Sequence, residues 1–205
     1  DKVIALINNI ASGRDVKCDR DSDLIEIIGE SVDKKYYEAV DTIQVNPDLD
    51  KKGFTIVYSP QHGAGNVPVH ETLKRNGYEV VSVTEQCSPD ENFSMTKNPN
   101  PETPESFELA FEVAMGCNAD LILTTDPDCD RVGIAVPDKD DYRLFTGNQV
   151  GAMLLNYILS VKSARGTLEK NPIAVKTIVT TDMCVPIAEK YGCKMIDVLT
   201  GFKYI

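Results

Sequence analysis

The sequence predicts an α/β fold, with a mixed sheet and flanking helices followed by a partial second α/β domain. Apolar runs typical of strands alternate with segments whose apolar residues recur at helical spacing. Glycine and proline separate these segments at intervals that fit short connections. A chain of 205 residues is longer than one ordinary domain and short for two, so we expect one complete domain with parts of others.

The first part of the chain is predicted to contain two helices and then a strand–helix–strand unit. Val3 and Ile7 share one face of the first helix, and Asn46-Pro47 breaks the chain after the second. A glycine-containing turn at 59–66 joins the first strand to the third helix. The predicted elements are helices over about 3–10, 33–43 and 67–76 and strands over about 54–58 and 79–83.

A long loop over 85–102 separates this unit from the rest, and its prolines remove backbone donors that a helix or sheet would use. Thr103 is a predicted N-cap with Pro104 at the first helical position, and Thr146 with Gln149 forms a predicted capping box. The remaining predicted elements are strands over about 121–125, 131–136, 142–145, 174–180 and 194–199 and helices over about 104–116, 147–161 and 182–191, the last capped by Thr181 or Asp182.

These elements predict three segments, over 1–32, 33–162 and 163–205. We expect the first to be the exit of a preceding domain and a linker, and the second to be a complete α/β domain. The third is predicted to be the truncated start of a following α/β domain, because one strand–helix–strand unit cannot bury both faces of its strands. The chain starts without Met and stops without a capping residue, so we expect both ends to be cuts in a longer chain.

The charge balance excludes two classes of partner. Lys and Arg number 21 against 32 Asp and Glu, which gives a net charge of −11 and a pI near 4.6. Such a chain repels phosphate backbones and anionic lipid, and its apolar runs are far shorter than the roughly 18 residues of a membrane helix. We therefore expect no nucleic-acid and no membrane partner, and an anionic substrate would need a metal or local basic residues.

The six cysteines show no Cys-x-x-Cys spacing, which argues against a zinc knuckle or a thioredoxin-type motif. Scattered thiols without a secretory signal predict a reducing, cytoplasmic location.

The most informative segment is the acidic turn between the predicted strands over 121–125 and 131–136. Asp126, Asp128 and Asp130 stand at alternate positions, and Pro127 restricts the backbone between the first two. Three carboxylates drawn together repel one another unless a cation lies between them. A hard divalent cation, Mg²⁺ before Ca²⁺, is the predicted occupant, and it would keep positions open for water or a phosphate oxygen.

The residues alone leave other interpretations open. A solvated acidic turn is the plain alternative, although Arg131 directly after the turn makes it less convincing. An EF-hand is excluded because its sixth and twelfth positions, which need Gly and Glu, hold Arg131 and Pro137. A haloacid-dehalogenase-type phosphatase would use Asp126 as nucleophile and Asp128 as general acid/base, but Asp130 stands where Thr or Val is expected.

The segment Asp126-Pro127-Asp128-Cys129-Asp130-Arg131 closely resembles the metal-binding loop of the α-D-phosphohexomutases, the phosphoglucomutase and phosphomannomutase superfamily, which usually has Ala at the Cys position. The other segments that resemble the family, in its order, are Ser59-Pro60-Gln61-His62-Gly63-Ala64-Gly65, Asn98-Pro99-Asn100-Pro101-Glu102, Leu144-Phe145-Thr146-Gly147-Asn148-Gln149 and Leu199-Thr200-Gly201-Phe202-Lys203. Within the last of these, Thr-Gly-Phe-Lys is most similar to the phosphoglucomutase branch of the family.

The resemblance implies a role for each matching residue. It implies that Asp126, Asp128 and Asp130 ligate Mg²⁺, that Arg131 contacts a phosphosugar, and that Thr200 and Gly201 line the sugar site. A substrate-binding role is left open for His62, which a structural turn explains better, and for Lys203.

The fold that the resemblance implies is the middle domain of a phosphohexomutase with the start of the next domain. The implied activity interconverts hexose 1-phosphate and hexose 6-phosphate through an enzyme phosphoserine and a Mg-bound hexose 1,6-bisphosphate step. The family's Ser-His-Asn-Pro-type segment is missing, so the resemblance places the phosphoserine outside this chain and assigns the chain no catalytic residue. A non-catalytic module that binds divalent cations remains the alternative.

Overall fold

The computed structural model describes residues 2–16, 18 and 21–205. The chain divides into two compact units, 1–39 and 40–205, which are described separately. The first unit contains helix α1, Lys2–Asn8, and most of helix α2, Glu30–Asp41. Both helices correspond to predicted ones, α2 starting three residues earlier than predicted because Glu30 and Asp33 supply its acidic first turn.

The second unit is built on a five-stranded mixed sheet, which confirms the predicted fold class. Strands β1 (Thr55–Ser59), β2 (Glu79–Ser82), β3 (Leu121–Thr125), β4 (Val132–Asp138) and β5 (Asp141–Phe145) lie in the order β2-β1-β3-β4-β5. β1 runs parallel to β2 and β3, whereas β4 runs antiparallel to β3 and β5. The parallel pairs need crossover segments, and the antiparallel pairs are joined by short turns.

Two helices flank this sheet, α3 over Asn66–Arg75 and α4 over Glu108–Cys117. Alternation along the strands places Val57, Ile122 and Ala135 on one face, in the same buried cluster as the apolar side of α4. The members of this core are Val57, Val83, Phe107, Ala110, Ala114, Ala119, Ile122 and Ala135. Small alanines on α4 let the helix lie close to the sheet, and this packing holds the strand ends that carry the loops described below.

A second, smaller sheet follows. It pairs β6 (Ile173–Thr177) with β7 (Lys194–Val198) in parallel, with helix α6 (Cys184–Lys190) between them. Helix α5, Gly147–Ala164, begins with the predicted capping box, and its Leu159 packs in a buried cluster with Ala188 and Cys193. The segment limits 1–32, 33–162 and 163–205 stay predictions.

Thr103 is the N-cap residue with Pro104 in the first turn, as predicted, although its side chain makes no capping hydrogen bond and residues 104–107 form a 3₁₀ turn ahead of α4. Two local predictions are wrong. The N-cap of α6 is Met183 and neither Thr181 nor Asp182, since the helix begins at Cys184. The predicted strand over 174–180 ends at Thr177, since the chain turns there: the Thr180 N–H donates to the Thr177 carbonyl at 2.9 Å, and their hydroxyls are 3.1 Å apart.

Candidate metal centre

The acidic turn is the hairpin loop that joins β3 to β4, closed by the antiparallel pair of Thr125 and Val132. Inside it, the Cys129 N–H donates to the Asp126 carbonyl at 3.0 Å, and Cys129 takes a left-handed backbone with φ of 60°. A left-handed residue reverses the path of the chain within a few residues. The loop is therefore wound tightly enough to bring alternate side chains to one point.

Asp126, Asp128 and Asp130 converge there: a carboxylate oxygen from each lies within 4.8 Å of the others. The Asp126 side chain is 2% exposed, whereas Asp128 and Asp130 face solvent. One buried and two exposed carboxylates form a half-open cluster of hard oxygen ligands, and such a donor set fits a hard divalent cation that keeps further ligands from solvent or substrate.

Arg131 lies against the cluster and against the long loop. Its Nε donates to Asp126 Oδ2 at 2.8 Å and lies 3.6 Å from Asp130 Oδ1. Its Nη1 donates to Asn100 Oδ1 at 3.0 Å and lies 4.0 Å from Glu102 Oε2. The guanidinium therefore links the acidic β3–β4 loop to the segment 98–102.

These contacts shift the ionisation of the cluster. Burial raises the pKa of Asp126, but hydrogen bonds from the Arg131 backbone and guanidinium outweigh it and hold this pKa below its ordinary value. The pKa of Asp130 is raised, first by the hydrogen bond it shares with Asp126 and then by burial and neighbouring negative charge. The pKa is therefore lowered for the carboxyl to which Arg131 donates its hydrogen bonds and raised for the carboxyl that shares a hydrogen bond with its neighbour.

The turn at 59–66 forms the floor of the loop. The Ala64 N–H donates to the Pro127 carbonyl at 2.8 Å, so the two loops are joined backbone to backbone. A Cβ on Gly63 would lie 2.5 Å from Pro127 Cα, and one on Gly65 would lie 2.8 Å from Cys129 Sγ. Glycine at these two positions is what lets the loops approach this closely.

His62 is built into this floor. Its N–H donates to the Gln86 carbonyl, and its ring Nδ1 lies 2.7 Å from the Ser88 carbonyl, which fixes a proton on Nδ1. The ring packs edge-on against Phe93, and its Nε2 is buried without a partner among the described residues. The contacts of His62 thus run to the 86–93 segment, as in a scaffold.

Thr200, Gly201 and Lys203 lie after the end of β7, the second strand of the smaller sheet. Gly201 has a φ of 125°, a conformation that favours glycine, and the Lys203 Nζ lies 5.0 Å from the centre of the Tyr204 ring. Within the part of the chain that the structure describes, no hydrogen bond or ion pair joins these residues to the acidic cluster. Their substrate-binding roles stay predictions.

Sequence reasoning missed the roles of Asn100 and Glu102, although it singled out their segment. Their sequence did hold a signal: Asn100 and Glu102 place an amide and a carboxylate on either side of Pro101, and both groups can accept hydrogen bonds from an arginine. That Arg131 is the arginine concerned depends on the pairing of β3 with β4, which sequence does not specify.

Family models match most of the chain. The model "Phosphoglucomutase/phosphomannomutase, alpha/beta/alpha domain II" matches residues 34–139, and the model for domain III of the same proteins matches residues 146–205. A phosphomannomutase of Mycoplasmoides pirum is 36% identical over 206 residues, which cover 100% of this chain and 37% of that protein. A phosphoglucomutase of Staphylococcus aureus strain N315 is 36% identical over 159 residues, 77% of this chain and 28% of that protein.

Solved structures agree in fold. A protein described as a "putative phosphomannomutase" from Thermus thermophilus superposes with a TM-score of 0.60 at 25% identity, over 84% of this chain and 37% of that one. A phosphoglucomutase/phosphomannomutase family protein from Burkholderia thailandensis gives a TM-score of 0.66 at 18% identity, over 84% of this chain and 34% of that one, a likeness of fold alone. The chain spans about 37% of the length of the first curated relatives it matches. With two domain models in series along its length, the chain belongs to the phosphoglucomutase/phosphomannomutase family.

Proposed function

We propose that this chain supplies the metal-binding domain and the start of the next domain of a phosphohexomutase. The whole protein would interconvert hexose 1-phosphate and hexose 6-phosphate through a phosphoserine and a hexose 1,6-bisphosphate. One observation supports this above the others: three convergent carboxylates are followed directly by an arginine in a chain of this family. The chain contains no Ser-His-Asn-Pro segment, so the phosphoserine would belong to residues other than 1–205.

Mg²⁺ is the proposed metal. The cluster offers carboxylate oxygens only, which Mg²⁺ prefers, and the two exposed members leave room for retained water and a phosphate oxygen. Asp126, Asp128 and Asp130 would hold the ion, which supplies neutralisation of the charge on a transferring phosphoryl group when it is bound.

The chain's own residues would bind and orient the substrate. Arg131 would bind a phosphate through the planar donor pattern of its guanidinium, which is how a protein of net charge −11 can hold an anion locally. Thr200 and Gly201 would contact the sugar from the following domain, and Lys203 is a second candidate for a phosphate. His62 would act as part of the scaffold. A cytoplasmic location fits a phosphosugar substrate, and no helix in the described residues is long and apolar enough to cross a membrane.

The metal site is tested by titrating the chain with Mn²⁺, which takes the same hard ligands as Mg²⁺ and is counted as free ion by electron paramagnetic resonance. Asp128→Asn removes one proposed ligand and should weaken binding at least about tenfold. Asp140→Asn is the matched control, because it makes the same charge change in the exposed β4–β5 turn. Equal affinities in the two variants would refute the site.

The reaction is tested on the complete protein from which these residues come. A coupled assay with glucose 1-phosphate and mannose 1-phosphate should show turnover that depends on Mg²⁺ and is lost in Asp128→Asn. The 205-residue chain alone should show none. Metal binding without turnover by the complete protein would instead support the non-catalytic cation-binding module.

A further inference from the structure

The acidic cluster already holds a cation, the guanidinium of Arg131. Asp126 Oδ1 accepts the Arg131 backbone N–H at 3.0 Å, and Asp126 Oδ2 accepts its Nε–H at 2.8 Å. Both oxygens of the buried carboxylate are thus engaged by a single residue. A buried carboxylate needs compensation, and these two hydrogen bonds from Arg131 provide it.

The two hydrogen bonds differ in how easily they can be broken. The backbone bond is part of the loop and persists as long as the loop keeps its shape. The side-chain bond belongs to an arginine side chain that is 47% exposed and whose Nη1 also donates to Asn100 Oδ1 at 3.0 Å. The guanidinium can therefore keep its hydrogen bond to Asn100 when its Nε leaves Asp126.

A divalent ion among the three carboxylates would compete with this guanidinium. The cluster spans less than about 5 Å, with Asp130 Oδ1 also within 3.6 Å of the Arg131 Nε, so an ion at its centre and the guanidinium would lie within a few ångströms of each other. Two cations at that distance repel strongly in a partly buried site. Both would also bind the oxygens of Asp126, each of which already accepts one hydrogen bond from Arg131.

We propose that Arg131 is the internal counter-ion of the metal-free cluster, and that a bound divalent ion displaces its guanidinium from Asp126 and so frees it to bind a phosphate. This inference rests on the proposed metal site. The metal and the anion site are then linked, because the arginine becomes available to a phosphosugar only when the metal has taken its place. Asn100 and Glu102, which already lie beside Nη1, would hold that end of the guanidinium near the site.

The opposite arrangement makes an opposite prediction. If Arg131 instead held the loop in shape for the metal, its removal would weaken metal binding. If it competes, removal strengthens binding, by about tenfold for one charge-assisted hydrogen bond at a half-exposed site.

The affinity test compares Arg131→Gln with Arg143→Gln by the same Mn²⁺ titration. Arg143 lies on β5 and packs over the Phe145 ring, so its variant makes an equal change in net charge away from the cluster. Tighter binding in Arg131→Gln than in Arg143→Gln supports displacement. Equal or weaker binding in Arg131→Gln overturns it.

A second test reads the guanidinium directly. The Nε–H resonance of Arg131 is observed by ¹⁵N nuclear magnetic resonance and assigned by its absence in Arg131→Gln. Saturating Mg²⁺ should move this resonance toward that of a solvated arginine and speed its exchange with water. An unchanged resonance at saturation overturns the displacement while leaving the metal site intact, whereas wild-type protein that binds neither ion overturns both proposals.

Discussion

Substitution of Gly63 by alanine tests whether the 59–66 turn sets the geometry of the acidic loop that we propose to bind the metal. Gly63 lies directly beneath Pro127, which stands between two of the proposed ligands, Asp126 and Asp128. An added Cβ would lie 2.5 Å from Pro127 Cα, 2.6 Å from its carbonyl oxygen and 2.8 Å from its carbonyl carbon. All three are backbone atoms, so no flexible side chain can turn aside to relieve the contact.

The displacement can be worked out from these distances. Ordinary carbon–carbon contact is about 3.5–4 Å, so Pro127 or the turn must move by about 1 Å. Overpacking of this kind costs about 1–3 kcal/mol in stability. Coordination distances tolerate only about 0.2 Å of error, so a shift of about 1 Å in the loop between two ligands should also weaken metal binding at least about tenfold.

The assay pairs urea unfolding with Mn²⁺ titration of Gly63→Ala and of Gly151→Ala. Gly151 lies in α5 with no atom within 4 Å of its ideal Cβ, so this control should gain about 0.5–1 kcal/mol in stability from helix propensity and bind metal normally. If folded Gly63→Ala binds Mn²⁺ as tightly as wild type does, the turn does not set the position of the ligands and the reasoning is wrong.

Two further predictions concern the smaller sheet. Lys176 is 5% exposed and its Nζ lies 2.9 Å from Asp197 Oδ1, so Lys176→Met should lower the urea midpoint more than Lys194→Met at an exposed site on β7. The hydrogen bond to Asp197 raises the pKa of Lys176. The stabilisation from this ion pair is therefore full at neutral pH and is lost only as the pH rises through the raised pKa. Over that alkaline range, the difference in urea midpoint between wild type and Lys176→Met should shrink. Burial raises the pKa of the Cys193 thiol, so iodoacetamide should label it far more slowly than exposed Cys18, as followed by peptide mass spectrometry, and equal rates would contradict the buried position.

The sheet and its helices were largely predictable because each element is specified by local pattern. The apolar run at the start of Leu121–Thr125 and the Thr146–Gln149 capping box are short-range signals, and both appear in the structure where they were expected. Thr103 is also the N-cap residue that was expected, but its side chain makes no capping hydrogen bond, and its hydroxyl donates to the Asn100 carbonyl in the preceding loop. Local propensity therefore predicts the position of a cap residue but not the hydrogen bonds that its side chain makes.

The acidic cluster was predictable in composition but not in its balance of charge. The alternate spacing of Asp126, Asp128 and Asp130 predicts that they can converge in a tight turn, and the left-handed backbone of Cys129 supplies that turn. That Arg131 turns back to engage both oxygens of Asp126 could not be predicted, since it depends on how far the loop is buried and on Asn100 holding the other end of the guanidinium.

The position of the acidic cluster follows from the order of the strands in the sheet. β1 and β3 are parallel neighbours with Ser59 opposite Thr124, so the loops that leave their carboxyl ends must emerge side by side. One of these loops carries the glycines and the other the carboxylates, which is why residues far apart in sequence share a backbone hydrogen bond from Ala64 to Pro127. The loop before α4 reaches the same edge, because Gly133 on β4 lies against Pro101. The carboxylates, the glycine turn that packs against them and the loop that contacts Arg131 therefore come from three separate segments. The geometry of the acidic turn thus depends on the whole edge of the sheet and not only on the short segment that contains the carboxylates.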